Sequence, residues 1–300
     1  MSNTLTNVNG VLTTQVIEAL KLGLSPMRVF SLSVGSDPTE KNATINVPVI
    51  TALSADTNAT NYESGNTSIV SAQVSLGTNI SKAWHLTAVE SSKSEIVASM
   101  WSAMAVEATY AVAYAAQLAA FELLTTASFT NEETLAASAF DFAALLSIRK
   151  TVLGTLKWRD DQPKAAIMAY DYSANLFADP AVADKSASGM DIAASGRTGR
   201  AAGIDLYENG LFASTTTPAA EYLQVAVIRP DALALAIRPP VKLESGAWVA
   251  NEILTEPETG VSLNYREWVT PGSNTHWGCV EILFGGVKVN GNSCYRVVSA

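Results

Sequence analysis

The sequence predicts an α+β fold organised around one long helix, and three observations carry the prediction. From Thr87 to about Thr126 no Pro or Gly interrupts the chain, and Ala, the strongest helix former, is its commonest residue. Between residues 43 and 85 two runs alternate apolar and polar side chains, the period of half-buried strands. From about Glu244 onward alternation returns, punctuated by the turn pairs Pro271-Gly272 and Asn290-Gly291, as expected of antiparallel strands.

Taken in order, residues 1–10 are rich in Asn and Thr without periodicity and read as a mobile arm. A short amphipathic helix follows from Thr14 to about Leu22, with Gly23 as its C-terminal cap and Pro26 barring its return. So short a helix needs a groove to lie in, and another subunit is one source of it. Thr44-Ile-Asn-Val, with Pro48 pointing to an edge strand, and the second run from Thr67 to Leu86 make a long hairpin around the polar tip 54–66. Its faces are thinly apolar, and an isolated ribbon is marginal in water. It either folds back on its own subunit or reaches onto a neighbour.

The central helix spans about 88–126, roughly 50–60 Å at 1.5 Å per residue, with capping-box spacings at Thr87/Glu90 and Ser92/Glu95. Ile96, Met100, Met104, Ala111, Leu118 and Phe121 mark one helical face, with Ala and Ser opposite. Glu107 is the only charge between Glu95 and Glu122, so the helix is expected to lack a broad solvated face. A second helix is expected from a capping box at Thr130/Glu133 to Gly154, with Phe140, Ala144, Leu145 and Ile148 as its stripe. Residues 164–170 read as a buried strand, 171–179 as a short helix, and the Gly/Ser/Ala-rich stretch 183–203 as a loop. Further strand pieces follow to Pro240.

Of 300 residues 48% are hydrophobic, ample for a core, but only 16% are charged, well below the usual quarter or so. A surface with so little charge is expected to lie largely in contacts with other chains. The net charge of -9 argues against an electrostatic grip on nucleic acid. The N-terminus has neither a basic nor an apolar leader region, and no unbroken apolar run is long enough for a membrane span. Cys279 and Cys294 are expected to be buried thiols in a reducing cytoplasm, although they could pair.

No reactive centre emerges. His85 and His276 each adjoin a tryptophan and read as packed imidazoles; two histidines without a C-x-x-C cannot make a His-rich metal site. No G-x-S-x-G elbow is present. Gly196, Gly199 and Gly203 lack the order of a phosphate or dinucleotide loop. Asp160-Asp161 and Glu132-Glu133 read as solvated carboxylates or caps. The acceptor patterns at Asn42, Asn58 and Asn79 are chance matches in a chain rich in Asn and Thr. No catalytic, cofactor-binding or metal-ligating set is expected, and the chain reads as a non-enzyme.

The order of parts resembles the major capsid protein family of tailed bacteriophages, the Hong Kong 97-like fold. The resemblance rests on TINVPVI at the start of the ribbon, the helix entered by KAWHLTAVESSK, DALALAIRPP, and the closing GVSLNYREW and GCVEILFGGVKVNGNSCYRV. It implies an N-terminal arm at 1–37, an extended loop at 38–86, and a peripheral domain at 87–154 carrying the spine helix. An axial domain at about 155–260 and closing strands of the peripheral domain at 261–300 complete the division. It further implies a structural subunit that self-assembles through pentamers and hexamers into an icosahedral head, built in the host cytoplasm and enclosing double-stranded DNA without reading its sequence. Portal, scaffolding and decoration proteins are the implied partners. Some relatives cross-link neighbours through a lysine on the loop, but the tip has none and Lys41 and Lys82 lie at its base, which argues against cross-linking. With the ribbon starting near residue 40 there is no room for a cleaved assembly domain, so a separate scaffold or prior trimming is expected. A cellular nanocompartment shell of the encapsulin-like kind, enclosing a protein cargo, is the alternative within the same fold. An enzyme of unidentified type is the alternative from another class, and a surface-layer or tail-tube protein a third.

Overall fold

A computed structural model describes residues 6–49, 70–87, 90, 97–183, 199–211, 222–242, 248–257 and 260–299. Helix α1 (Thr6–Gly23) is longer than the sequence suggests and takes in half of the expected arm. Its buried Val16, Ala19 and Leu20 have helical i, i+3, i+4 spacing, and they lie against the chain's own long helix, so no second subunit is needed to seat it. Gly23 permits this approach: a Cβ there would stand 2.6 Å from the Cβ of Ala113. The Gly23 carbonyl accepts a hydrogen bond from Gln117, whose own oxygen accepts from Asn209 Nδ2 at 2.8 Å. A 3-10 turn at Ser25–Val29 leads into β1 (Ser31–Val34).

Strands β2 (Thr44–Val49) and β3 (Val70–Ser75) pair antiparallel in the register Thr44↔Ser75 to Val49↔Val70. The expected hairpin is therefore present at its root, while the tip 50–69 lies outside the described residues. The second run does not stay in the hairpin. After Leu76-Gly77 it becomes β4 (Thr78–Thr87), which pairs with the body of the molecule. Thr87 and Glu90 form the predicted capping box, with Glu90 Oε2 accepting from the Thr87 amide at 2.8 Å and Thr87 Oγ1 accepting from the Glu90 amide at 3.4 Å. The capping pair Ser92/Glu95 lies outside the described residues.

The long helix α2 (Val97–Phe121) has 25 residues, about 37 Å, and ends before the expected Thr126. Its buried side is rich in alanine: Ala105, Ala108, Ala113, Ala116 and Ala120, with Val112 between them and Trp101 and Phe121 at the two ends. The segment expected to open the second helix is instead β5 (Glu132–Thr134), paired parallel with the C-terminal strand. Pairing with a strand about 160 residues away overrides the local capping signal at Thr130/Glu133. Helix α3 (Phe142–Gly154) begins at Asp141, whose side chain accepts from Ala144 N at 2.8 Å. Strand β6 (Ala165–Met168) is buried throughout and is followed by α4 (Tyr170–Ala178) and α5 (Pro180–Ala183). The remaining strands are β7 (Arg200–Ala201), β8 (Ile204–Glu208), β9 (Leu223–Ile228), β10 (Leu233–Arg238), β11 (Trp248–Thr255), β12 (Ser262–Thr270), β13 (Thr275–Lys288) and β14 (Cys294–Val298).

These strands form two mixed sheets. In the first, β13 is the axis. One of its edges pairs with β4; the other pairs with β12 over its first half and β10 over its second, with β11 and β1 outermost. The second runs β5-β14-β9-β6-β8-β7. The sheets exchange strands across the segment boundary expected at 260: β10 and β11 precede it but join the first sheet, and β14 follows it but joins the second. One apolar cluster runs from α1 and α2 through the inner faces of both sheets. A smaller one, Val47, Val74, Leu76, Ala234, Ala236 and Leu283, seats the ribbon root on the opposite face of the first sheet. The contact is close enough to require Gly285, where a Cβ would stand 2.2 Å from the Ser75 carbonyl oxygen.

Candidate assembly surface

The outward side of α2 is the unusual surface of this molecule. Met100, Ala103, Glu107, Ala111 and Tyr114 recur at helical spacing and are exposed, Met100 at 43% and Tyr114 at 52%. Met100 and Ala111 belong to the face expected to carry the large packed residues, and Met104 and Leu118 of that face are only half-buried. The expectation that this helix lacks an open face is thus corrected. Most alanines turn inward, where α1 and the first sheet approach closely, together with Trp101 and Phe121, while Met100 and Tyr114 are left outside. A helical face this apolar, with a single carboxylate, marks a contact surface more often than a solvated one. Leu22, at the end of α1, adds an exposed apolar side chain.

The ribbon is a second such element. Its root buries Val47, Val74 and Leu76 against its own sheet, so of the two alternatives the sequence leaves open, the root folds back on its own subunit. Lys41 and Lys82 are exposed at the base.

Between helix and sheet lies a polar-aromatic cluster that sequence spacing does not announce, because its members come from residues 84, 101, 265, 267 and 276. Trp101 of α2 packs 5.5 Å from Trp84, and its indole N–H donates to Glu267 Oε1 at 3.0 Å. Tyr265 OH also donates to Glu267. The His276 ring stacks on Trp101 at 4.3 Å and 10°. Burial opposes ionisation of Glu267, but its contacts with His276, Tyr265 and Trp101 outweigh that and hold its pKa below the usual value. On the opposite face His85, Trp277, Trp268 and Trp248 form a row of cross-strand neighbours, and Arg266 lies over Trp248. Each imidazole lies on a tryptophan ring, but His85 is exposed and only His276 is partly buried.

Elsewhere the ionisable groups serve structure. Arg296 is fully buried, and its guanidinium meets Glu132 Oε2 at 2.5 Å and Thr126 Oγ1 at 2.5 Å. Glu133 accepts from Tyr295 OH at 3.2 Å. Asp160 pairs with Arg149 and Lys164, Asp161 with Arg159. Asp179 accepts from the amides of Phe142 and Ala181, which hold its pKa below the usual carboxylate value. Cys279 and Cys294 are buried and unpaired, and burial pushes the Cys294 thiol up to about 12. Gly203 turns the β7–β8 hairpin at φ 78°, with the Arg149 guanidinium beside it; Gly196 lies outside the described residues. A cleft of 290 Å³ beside α1 and β1 is lined by Lys21, Leu24, Arg28, Phe30, Leu32, Val34 and Val261. Its charged lining is Lys21 and Arg28, and Lys21 is paired with Glu256 at 3.5 Å. Among the described residues no cluster of three His, Cys, Asp or Glu side chains could hold a metal ion. No helix there is long and apolar enough to cross a membrane.

No family model and no curated protein sequence matches the chain. Solved structures do. The capsid of cyanophage P-SCSP1u superposes with a TM-score of 0.57 at 11% identity, over 90% of this chain and 87% of that one. The mature capsid of bacteriophage PhiM1 gives 0.54 at 13% identity, over 90% and 86%. A virus-like particle from Pyrococcus furiosus gives 0.54 at 11% identity, over 96% and 98%.

Proposed function

We propose that this chain, which has the Hong Kong 97-like capsid fold, is a shell subunit, the major capsid protein of a tailed phage. The observation that carries the reading is likeness to capsid subunits along 90% of the chain. The apolar outer face of α2 supports it, since a contact surface repeated on many copies closes a symmetric assembly from individually modest interactions. In this reading the first sheet and α2 form the peripheral domain, the second sheet with α3 to α5 the axial domain, and the ribbon the extended loop. The protein is then a structural component of the virion, not an enzyme, assembled in the host cytoplasm with portal and scaffolding proteins. A chain of net charge -9 suits a wall along which packaged DNA must slide.

The match to the Pyrococcus furiosus particle, over 98% of that chain, favours one second reading: a cellular nanocompartment of the same fold with protein inside. Electron microscopy of native particles with analysis of their contents separates the two. Closed shells containing double-stranded DNA support the phage head, closed shells containing a co-purifying protein support the compartment, and tubes, sheets or monomers overturn both.

A further inference from the structure

Helix α1 ends without a cap of its own. Its final carbonyls have no partner inside the helix, and Gly23 does not enter the left-handed region in which a glycine turns the chain back onto them. The Gly23 carbonyl is met instead from α2, by Nε2 of Gln117. Oε1 of Gln117 accepts from Asn209 Nδ2 at 2.8 Å, and Asn209 Oδ1 accepts from the Leu211 amide at 2.8 Å. Asn209 follows the end of β8, where its own amide donates to the Met168 carbonyl of β6 at 2.9 Å. Gln117 and Asn209 are both buried, so a lost partner is costly.

This row of hydrogen bonds has a direction. A peptide N–H only donates and a carbonyl only accepts. With the Leu211 amide at one end and the Gly23 carbonyl at the other, each side-chain amide between them has one orientation that satisfies both neighbours. We propose that Gln117 is a one-way relay, through which Asn209 of the second sheet decides whether the end of α1 is capped. A residue 209 that donates leaves Gln117 with its nitrogen on Gly23. A residue 209 that only accepts turns Gln117 over, because the nitrogen must then face residue 209. The oxygen is left against the Gly23 carbonyl, and the last turn of α1 loses its cap although nothing in α1 has changed. The inference concerns the subunit itself and stands whether or not the subunit builds shells.

The relay inverts the usual order of two substitutions. Asn209→Asp is nearly isosteric and keeps the acceptor for Leu211, but at about pH 8 its carboxylate only accepts. Asn209→Ala removes the whole side-chain amide, yet leaves Gln117 able to keep its nitrogen on Gly23.

Hydrogen exchange followed by mass spectrometry on the full chain at about pH 8 reads both ends of the row, residues 21–24 and Leu211, with β9 as the internal reference. In Asn209→Asp protection of residues 21–24 is expected to fall about ten-fold while Leu211 stays near the wild type. Asn209→Ala is expected to do the opposite, loosening Leu211 and changing residues 21–24 by less than about three-fold. Gln117→Glu, which has no nitrogen to offer Gly23, is expected to match Asn209→Asp at α1. Wild-type protection of residues 21–24 in Asn209→Asp would overturn the proposal. So would a loss there in Asn209→Ala as large as in Asn209→Asp, or a fall in Asn209→Asp that β9 shares equally.

Discussion

The seat of the ribbon can be tested with a single methyl group. In Gly285→Ala the new Cβ would stand 2.2 Å from the Ser75 carbonyl oxygen and 2.9 Å from Val74 Cγ1. A backbone oxygen in a paired strand cannot rotate aside, so β3 must lift. Overpacking of this kind costs ~1–3 kcal/mol, and lifting β3 also re-exposes part of Val47, Val74 and Leu76, each worth ~1.5–3 kcal/mol when fully buried. A net loss of ~2–3 kcal/mol is expected, which for a chain of 300 residues lowers Tm by ~4–6 °C. Gly286→Ala is the control on the other face, where the methyl meets side chains and no backbone, the ends of Leu123 and Leu235 and the ring of Phe284; it is expected to cost ~1 kcal/mol. Differential scanning calorimetry gives the stabilities, and hydrogen exchange in Thr44–Val49 and Val70–Ser75 shows whether the root has lifted. Wild-type stability and protection in Gly285→Ala, or a larger loss in Gly286→Ala, would refute the seating of the ribbon on its own sheet.

Three further outcomes follow from the same contacts. Glu132→Ala removes the anion from buried Arg296 and is expected to cost ~3 kcal/mol in urea denaturation, whereas Arg296→Met, which leaves no stranded charge, costs less; the reverse order would contradict the pairing. Met100→Glu with Tyr114→Glu alters exposed positions, so the subunit should lose no more than ~0.5 kcal/mol per site, while particle yield falls at least about ten-fold in electron micrographs because charges are placed in a contact. Undiminished particle yield would count against that face. Asp179 has a lowered pKa, so its contribution to stability is present above about pH 4 and is lost as the pH falls through the folded value. Asp179→Ala should therefore lower Tm at pH 7 and flatten the acid limb of the Tm–pH profile; an unchanged limb would show that the two helix-end amides do not depend on it.

What the sequence made legible were signals carried by neighbouring residues. Thr87 and Glu90 announce a helix start because a capping box is complete within one turn. Residues 165–168 announce a buried strand because their apolar run is short and bounded. The misreadings came where a distant partner decided. Glu132 and Glu133 look like a helix start until Arg296 and Tyr295 claim them, and residues 78–87 look like half a hairpin until β13 pairs with them. The facing of α2 went the other way for a packing reason. Size suggested that Met100 and Ala111 belong with the packed side, but close approach by α1 selects alanine, as Gly23 against Ala113 shows. The His276 cluster had no sequence signal, since a stack between residues 101 and 276 leaves no spacing to find. The candidate assembly surface was legible only as composition, in a chain of which 16% is charged.

Sedimentation velocity on the purified full-length chain tests shell formation most directly. A homogeneous boundary at the size of a closed particle of many 31.6 kDa subunits is the predicted result. A single boundary at the mass of one subunit, unchanged by concentration, would contradict it.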